Sequence, residues 1–456
     1  MVFGIHQAQK LLRSGEVTPI QLVQRCLEKI QSEDSRLRAF ITVMREEALD
    51  LAEKQTKILK TCKDRENLPA LFGIPIAVKD LIEVAGVRTT AGSLFWKDFV
   101  SLEDAFVVRK LKEAGAVIIG KTNLHEIALG VTNSNPHYGI CRNPCDPTRI
   151  SGGSSGGSAV AVAAEMTLGA LGTDTGGSIR IPSALCGVVG LKPTYGRISL
   201  RGVFPLAWHL DHVGPITSCV QDAAILLSVM DSYDRDDPFS SLKRSCLKPV
   251  LTGDVANLRI ARSVGRFVET SDPEILDALE MSTRVFKDLG AQIVEYDIDW
   301  LRDVASANGL MTQVEAAAFH EERLYEHPEW FGDDVRERLN QGLNKRGVDY
   351  AFARHTQTLA KHRFTEFFKE HDLLLLPTTS VTAPPVSEDN MSSVQAVKPL
   401  TRFTAPFDIT GLPAITVPCG KSKSGLPIAV QLVGNVWAEA KVLNAAFALE
   451  KAIQSN

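Results

Sequence analysis

Two serine-centred glycine clusters, GGSSGGS at 152–158 and TGGS at 175–178, bracket the small-residue stretch AVAVAAEMTLGALG. Linker repeats are long and monotonous, whereas these short runs alternate with dense apolar segments, so each cluster lies close to other groups. Glycine permits φ > 0 and close approach, and successive N–H groups pointing one way form an anion-binding concavity. Beside a serine hydroxyl, such a concavity suits acyl transfer, where an oxyanion develops next to the nucleophile. Cleaving an amide also needs a base for the nucleophile's proton and an acid for the departing amine. Lys79 is a candidate for both, because it ends the apolar run LFGIPIAVK, with Ile74, Ile76, Ala77 and Val78 before it. Burial disfavours the charged form of a lysine and draws its unperturbed pKa of about 10.4 toward neutrality.

Two competing motifs fit less well. G-x-S-x-G occurs twice, at 152–156 and 153–157, but a nucleophile elbow needs a strand feeding its serine. RNPCDPTRI, which precedes these serines, is no strand, and a Ser-His-Asp triad leaves TGGS unexplained. GAVIIGKT at 115–122 satisfies the P-loop expression, yet its middle residues are apolar and form a strand themselves rather than a phosphate cradle. Taken singly, a strand-end lysine more often snorkels to solvent and Gly-Gly-Ser more often marks a turn.

Their joint occurrence changes that balance. GGSSGGS followed by GTDTGGSIRIPSALCGVVGLKP resembles the signature of the amidase signature family, the Ser-cisSer-Lys amidohydrolases. GIPIAVKD at 73–80, GKTNLHEIALG at 120–130, LDHVGP at 210–215, LLLLPTT at 373–379 and FDITGLPAITVPCG at 407–420 resemble its other blocks in order. The resemblance implies Ser178 as nucleophile, Ser154 as bridging hydroxyl and Lys79 as base, with a cis peptide between Gly153 and Ser154. It also implies an oxyanion hole from the N–H groups of Thr175, Gly176, Gly177 and Ser178, with Asp174 and Arg180 holding that loop. Leu129, Gly130 and Val131 are expected to line the acyl pocket, with Ser155 supporting the site, and their apolar character favours an uncharged or aromatic acyl group. The implied activity is hydrolysis of an amide, carbamate or urethane through an acyl-enzyme. The alternative is the glutaminase component of a transfer-RNA-dependent amidotransferase, whose glutamine-gripping arginine falls roughly at Arg363 but with different neighbours.

These residues need a scaffold. Helix-then-strand alternation, as in AFVVRKLKEA followed by AVIIG, predicts an α/β fold, and the resemblance makes it a central twisted mixed sheet with helices on both faces. A single domain is expected, with a helical part at 1–70, a signature core at 71–231, a connection and variable pocket-forming helices at 232–372, and closing strands and helix at 373–456. Thr18 followed by Pro19 marks the start of one N-terminal helix.

Bulk properties exclude some partners. Fifty Lys plus Arg against 54 Asp plus Glu give a net charge of −4 without long runs of one sign, so no nucleic acid and no membrane is expected. The eight cysteines are scattered without zinc spacing and read as free thiols, which predicts no metal and no cofactor. The N-terminus lacks a secretory h-region, so a cytoplasmic address, a small-molecule amide substrate and a possible homodimer complete the expectation.

Overall fold

A computed structural model describes residues 4–242, 250–387 and 394–454. Its thirteen strands are β1 (Phe40–Val43), β2 (Pro75–Lys79), β3 (Val117–Thr122), β4 (Ser134–Asn135), β5 (Gly139–Ile140), β6 (Gly169–Asp174), β7 (Val189–Lys192), β8 (His212–Thr217), β9 (Arg259–Val264), β10 (Gln292–Asp297), β11 (Leu373–Pro377), β12 (Ala414–Lys421) and β13 (Pro427–Gly434). Eleven form one sheet in the order β1-β3-β2-β6-β8-β7-β12-β13-β11-β9-β10, and β4 and β5 pair separately. The sheet is mixed: β2 runs parallel to β3 and β6, β6 antiparallel to β8, and β13 antiparallel to β12 and β11.

Alternation along the central strands shows why helices cover both faces. Ile76 and Val78 of β2, Ile118 of β3 and Leu171 of β6 enter one apolar core. Ala77, Val117, Ile119 and Ala170 enter a second core with Val23, Leu27 and Val160 on the opposite face. A strand buried on both sides reads as a continuous apolar run, which is the pattern of IPIAV.

The N-terminal part is not wholly helical as expected. Phe40–Val43 forms β1 and pairs antiparallel with β3 at the sheet edge, and its four residues are too few to carry a periodic signal. The helix Pro19–Leu37 begins as its cap predicts, with the Thr18 N–H donating to Gln21 Oε1 at 2.9 Å. GAVIIGKT is strand β3, and its Lys121 is fully buried in an ion pair with Asp80 at 3.0 Å, so no phosphate loop exists there.

The small-residue stretch begins in the helix Gly156–Ala163, which packs against β2, β6 and β8, and ends in β6. Its size is dictated by proximity: a Cβ on Gly157 would sit 2.4 Å from the carbonyl oxygens of Ala39 and Asn123. Long helices at Leu301–Glu326 and Gly347–Glu370 and a shorter one at Asp333–Leu343 fill the region expected to form the pocket. The described cysteines are all free, and Cys246 lies outside the described residues. Among the described residues no helix is long and apolar enough to cross a membrane.

Candidate active site

Lys79 closes β2 with no exposed surface. Its Nζ donates to Ser154 Oγ at 2.7 Å and to Thr173 Oγ1 at 2.8 Å. Burial lowers its pKa from 10.5 to about 7, overcoming the carboxylates of Asp174 and Asp211, which favour the cation. Thr173 escaped the sequence reading. The signal was in the register, since pairing of Val78 with Leu171 carries Thr173 to the strand end that Lys79 occupies.

The first serine loop enters the helix Gly156–Ala163, and its Gly153–Ser154 peptide is cis. Ser154 is buried, and its carbonyl accepts the His125 N–H at 3.2 Å. Ser155 points away from the cavity: its hydroxyl donates to the Thr173 carbonyl at 3.1 Å and accepts the Thr173 N–H at 3.2 Å. The Ser155 N–H donates to the Ser178 carbonyl at 3.2 Å, which ties the two serine loops together.

Ser178 lies on the wall of a cavity of about 810 Å³. Among the described residues its hydroxyl makes no hydrogen bond, which leaves it available to a ligand. Leu129, Gly130, Val131, Thr175 and Gly176 line the same cavity. Gly177 does not, and its N–H donates to Asp174 Oδ1 at 2.5 Å. This corrects the four-donor oxyanion hole, because an N–H already held by a buried carboxylate is not open to a substrate. The N–H groups of Thr175, Gly176 and Ser178 find no protein acceptor among the described residues.

The nucleophile loop is held from behind. Asp174 accepts the Ile179 N–H at 3.0 Å and the guanidinium of Arg180 through Nε and Nη2, each at 3.0 Å. Burial alone pushes this carboxyl up, but Arg180 outweighs it and holds Asp174 well below the usual range. Arg180 Nη2 also donates to Asp408 at 2.7 Å, and burial together with Asp174 pushes the Asp408 carboxyl up. On the cavity side, Thr175 Oγ1 donates to Asp211 at 2.6 Å and Asn308 Nδ2 donates to the Thr175 carbonyl at 3.1 Å. Burial raises Asp211 to about 6 against the donors that hold it. Asn308 was not singled out from sequence, since nothing in a helical stretch distinguishes one asparagine from another.

Arg363 stacks over Trp300 with its guanidinium 4.2 Å from the ring centroid and does not line the cavity. Metal-ligating atoms gather at His6, Cys219 and Asp222, within 4.8 Å of one another. None of the three lines the cavity, and Asp222 already accepts the N–H groups of Ile5 at 2.7 Å and His6 at 2.9 Å.

Comparison with known proteins extends this picture. The Amidase family profile matches residues 21–443. A glutamyl-tRNA(Gln) amidotransferase subunit from Syntrophus aciditrophicus (strain SB) is 37% identical over 98% of this chain and 96% of its own. A solved chain from a vestigial protein complex, tied to the origins of an s-triazine catabolic enzyme, superposes with a TM-score of 0.92 at 32% identity, covering 98% of both chains. The 6-aminohexanoate cyclic dimer hydrolase in complex with substrate gives a TM-score of 0.88 at 27% identity over 99% of this chain and 97% of that one.

The amidotransferase relatives are parts of an enzyme that acts on a tRNA, which overturns the expectation of a small-molecule hydrolase meeting no nucleic acid and at most a copy of itself. Bulk charge misled because −4 is an average over the whole chain and says nothing about companions. A serine-lysine cluster at the end of a mixed α/β sheet, with a family match across nearly the whole length, shows that this chain belongs to the amidase family.

Proposed function

We propose that the chain is the amide-cleaving component of a larger enzyme of amidotransferase type, working through a Ser178 acyl-enzyme. The observation that carries the chemistry is Lys79, buried, brought to about 7, and 2.7 Å from Ser154. In its neutral form the amine keeps an N–H on Thr173 and turns its lone pair to the Ser154 hydroxyl. Ser178 Oγ attacks the carbonyl carbon, its proton passes to Ser154, and the Ser154 proton passes to Lys79. The oxyanion takes the open N–H groups of Thr175, Gly176 and Ser178. The lysine cation then returns its proton through Ser154 to the departing nitrogen, the C–N bond breaks, and an ester remains on Ser178. Water repeats the sequence and frees the acid. One base serves both directions because it sits near neutrality.

The role within a larger enzyme is supported by relatives that match both chains almost end to end, at 37% and 36% identity in the first two. A second reading, a hydrolase complete in one chain, is favoured by solved relatives named as hydrolases, such as the 6-aminohexanoate cyclic dimer hydrolase, which matches 99% of this chain and 97% of its own. Ammonia release by the purified chain, alone and with companion subunits co-expressed, separates the two. Ser178→Ala and Lys79→Ala lower kcat by about a thousandfold or more if the relay operates. Turnover that survives both changes refutes it.

A further inference from the structure

The lining of the cavity is rich in basic residues. Arg302, Arg338, Lys345, Lys398 and Arg402 line it together with Ser178, and among the described residues no aspartate or glutamate does. Arg302 and Arg402 sit on the same ring, with guanidinium carbons 5.9 and 4.6 Å from the Phe267 centroid. Among the described residues neither forms an ion pair, nor does Lys345 or Lys398. Burial and the charge of Arg302 together lower the pKa of Arg402, the signature of two cations held near each other. Arg402 is also fixed in place, donating from Nη2 to Thr270 Oγ1 at 2.7 Å and to the Phe267 carbonyl.

Like charges gathered in a cavity wall repel unless an anion lies between them. We infer that the cavity takes an amide carrying a carboxylate and no ammonium group, with the carboxylate held by Arg302 and Arg402. This rests on the amide-cleaving reading above. Leu129 and Val131, in the same lining, offer apolar surface to a short carbon chain. The expectation of an uncharged or aromatic acyl group drew on Leu129, Gly130 and Val131 alone, and the basic residues lining the same cavity argue against it. An amino acid amide donor such as glutamine brings an ammonium that no carboxylate among the described lining residues meets, so it fits less well than the ω-amide of a plain dicarboxylic acid.

The test is calorimetric binding to the full-length Ser178→Ala chain, which needs no turnover and no companion. The probes are succinamate, its neutral isostere butyramide, and glutamine. Succinamate is expected to bind at least about tenfold tighter than either, as a charge-assisted guanidinium-carboxylate contact implies. Arg302→Gln is expected to erase about tenfold of that preference; its described contact is a ring face, so the fold does not depend on it. Equal affinity for succinamate and butyramide, tighter binding of glutamine, no binding at all, or an arginine-dependent affinity for an RNA oligonucleotide in place of succinamate each overturns the inference. Failure of the amide-cleaving reading looks different: succinamate binds with the stated preference, yet the wild type releases no ammonia from it even with companion subunits present.

Discussion

Replacing Lys79 with methionine tests the central group through stability rather than rate. The lysine is fully buried, and its pKa falls from 10.5 to about 7, so folding at neutral pH must discharge about half of it and hold the rest charged out of water. Linkage gives the sign: between the folded and unfolded pKa values the unfolded chain binds more protons, so stability rises with pH across that window. Integrating over it, the lysine costs about 4 kcal/mol at pH 7 and about 1 kcal/mol at pH 9.5 relative to a neutral side chain. Methionine has similar length and no charge, but it strands the hydroxyls of Ser154 and Thr173, a pH-independent loss of about 1 kcal/mol each. Lys79→Met is therefore expected to be inactive and more stable than wild type by about 2 kcal/mol at pH 7, with that advantage shrinking by about 3 kcal/mol at pH 9.5. Urea titrations of both proteins at the two pH values measure this, and other titrating groups, including Lys192 with its similarly lowered pKa, cancel in the comparison. A stability difference that stays constant with pH, or grows, means Lys79 remains charged in the fold and refutes a lysine base.

Three further outcomes follow from the same geometry. The rate constant kcat/KM should rise with pH through about 7 and level off above it, because the base is the neutral amine; a flat profile from pH 6 to 8 is incompatible with that. Asp174→Asn should lower stability by about 3 kcal/mol or more, since it leaves the buried Arg180 without its bidentate partner; thermal denaturation reads this out. Gly177→Ala should cost about 2 kcal/mol or more, because φ is 130° there and a Cβ would meet Thr404 Oγ1 at 2.2 Å; an unchanged melting temperature argues against the loop conformation.

The sheet and much of the site were legible in the sequence for a physical reason. Strands buried on both faces write themselves as apolar runs, and a lysine at the end of one is conspicuous against them. The glycine clusters announced close backbone approach, which Gly157 makes literal against Ala39 and Asn123. What was hidden depends on pairing across the chain. β1 carries too few residues to show a period, Thr173 meets Lys79 only through the β2–β6 register, and Gly177's N–H is claimed by a side chain three positions earlier. The basic lining was invisible because its members are scattered from 302 to 402 and each is ordinary alone.

The buried pair of Lys121 and Asp80 has a consequence for the neighbour of Asp80. A carboxylate one residue from Lys79 could hold that amine charged and silence it as a base. Instead, successive side chains leave a strand on opposite sides. Asp80 is gripped there by Lys121 at 3.0 Å and by the Thr90 hydroxyl at 2.5 Å. The carboxylates that act on Lys79 are Asp174 and Asp211, and Asp80 is not one of them. Lys121 thus acts as counter-ion to the carboxylate that follows Lys79 in the chain, and Asp174 and Asp211 are the negative charges that bear on the base.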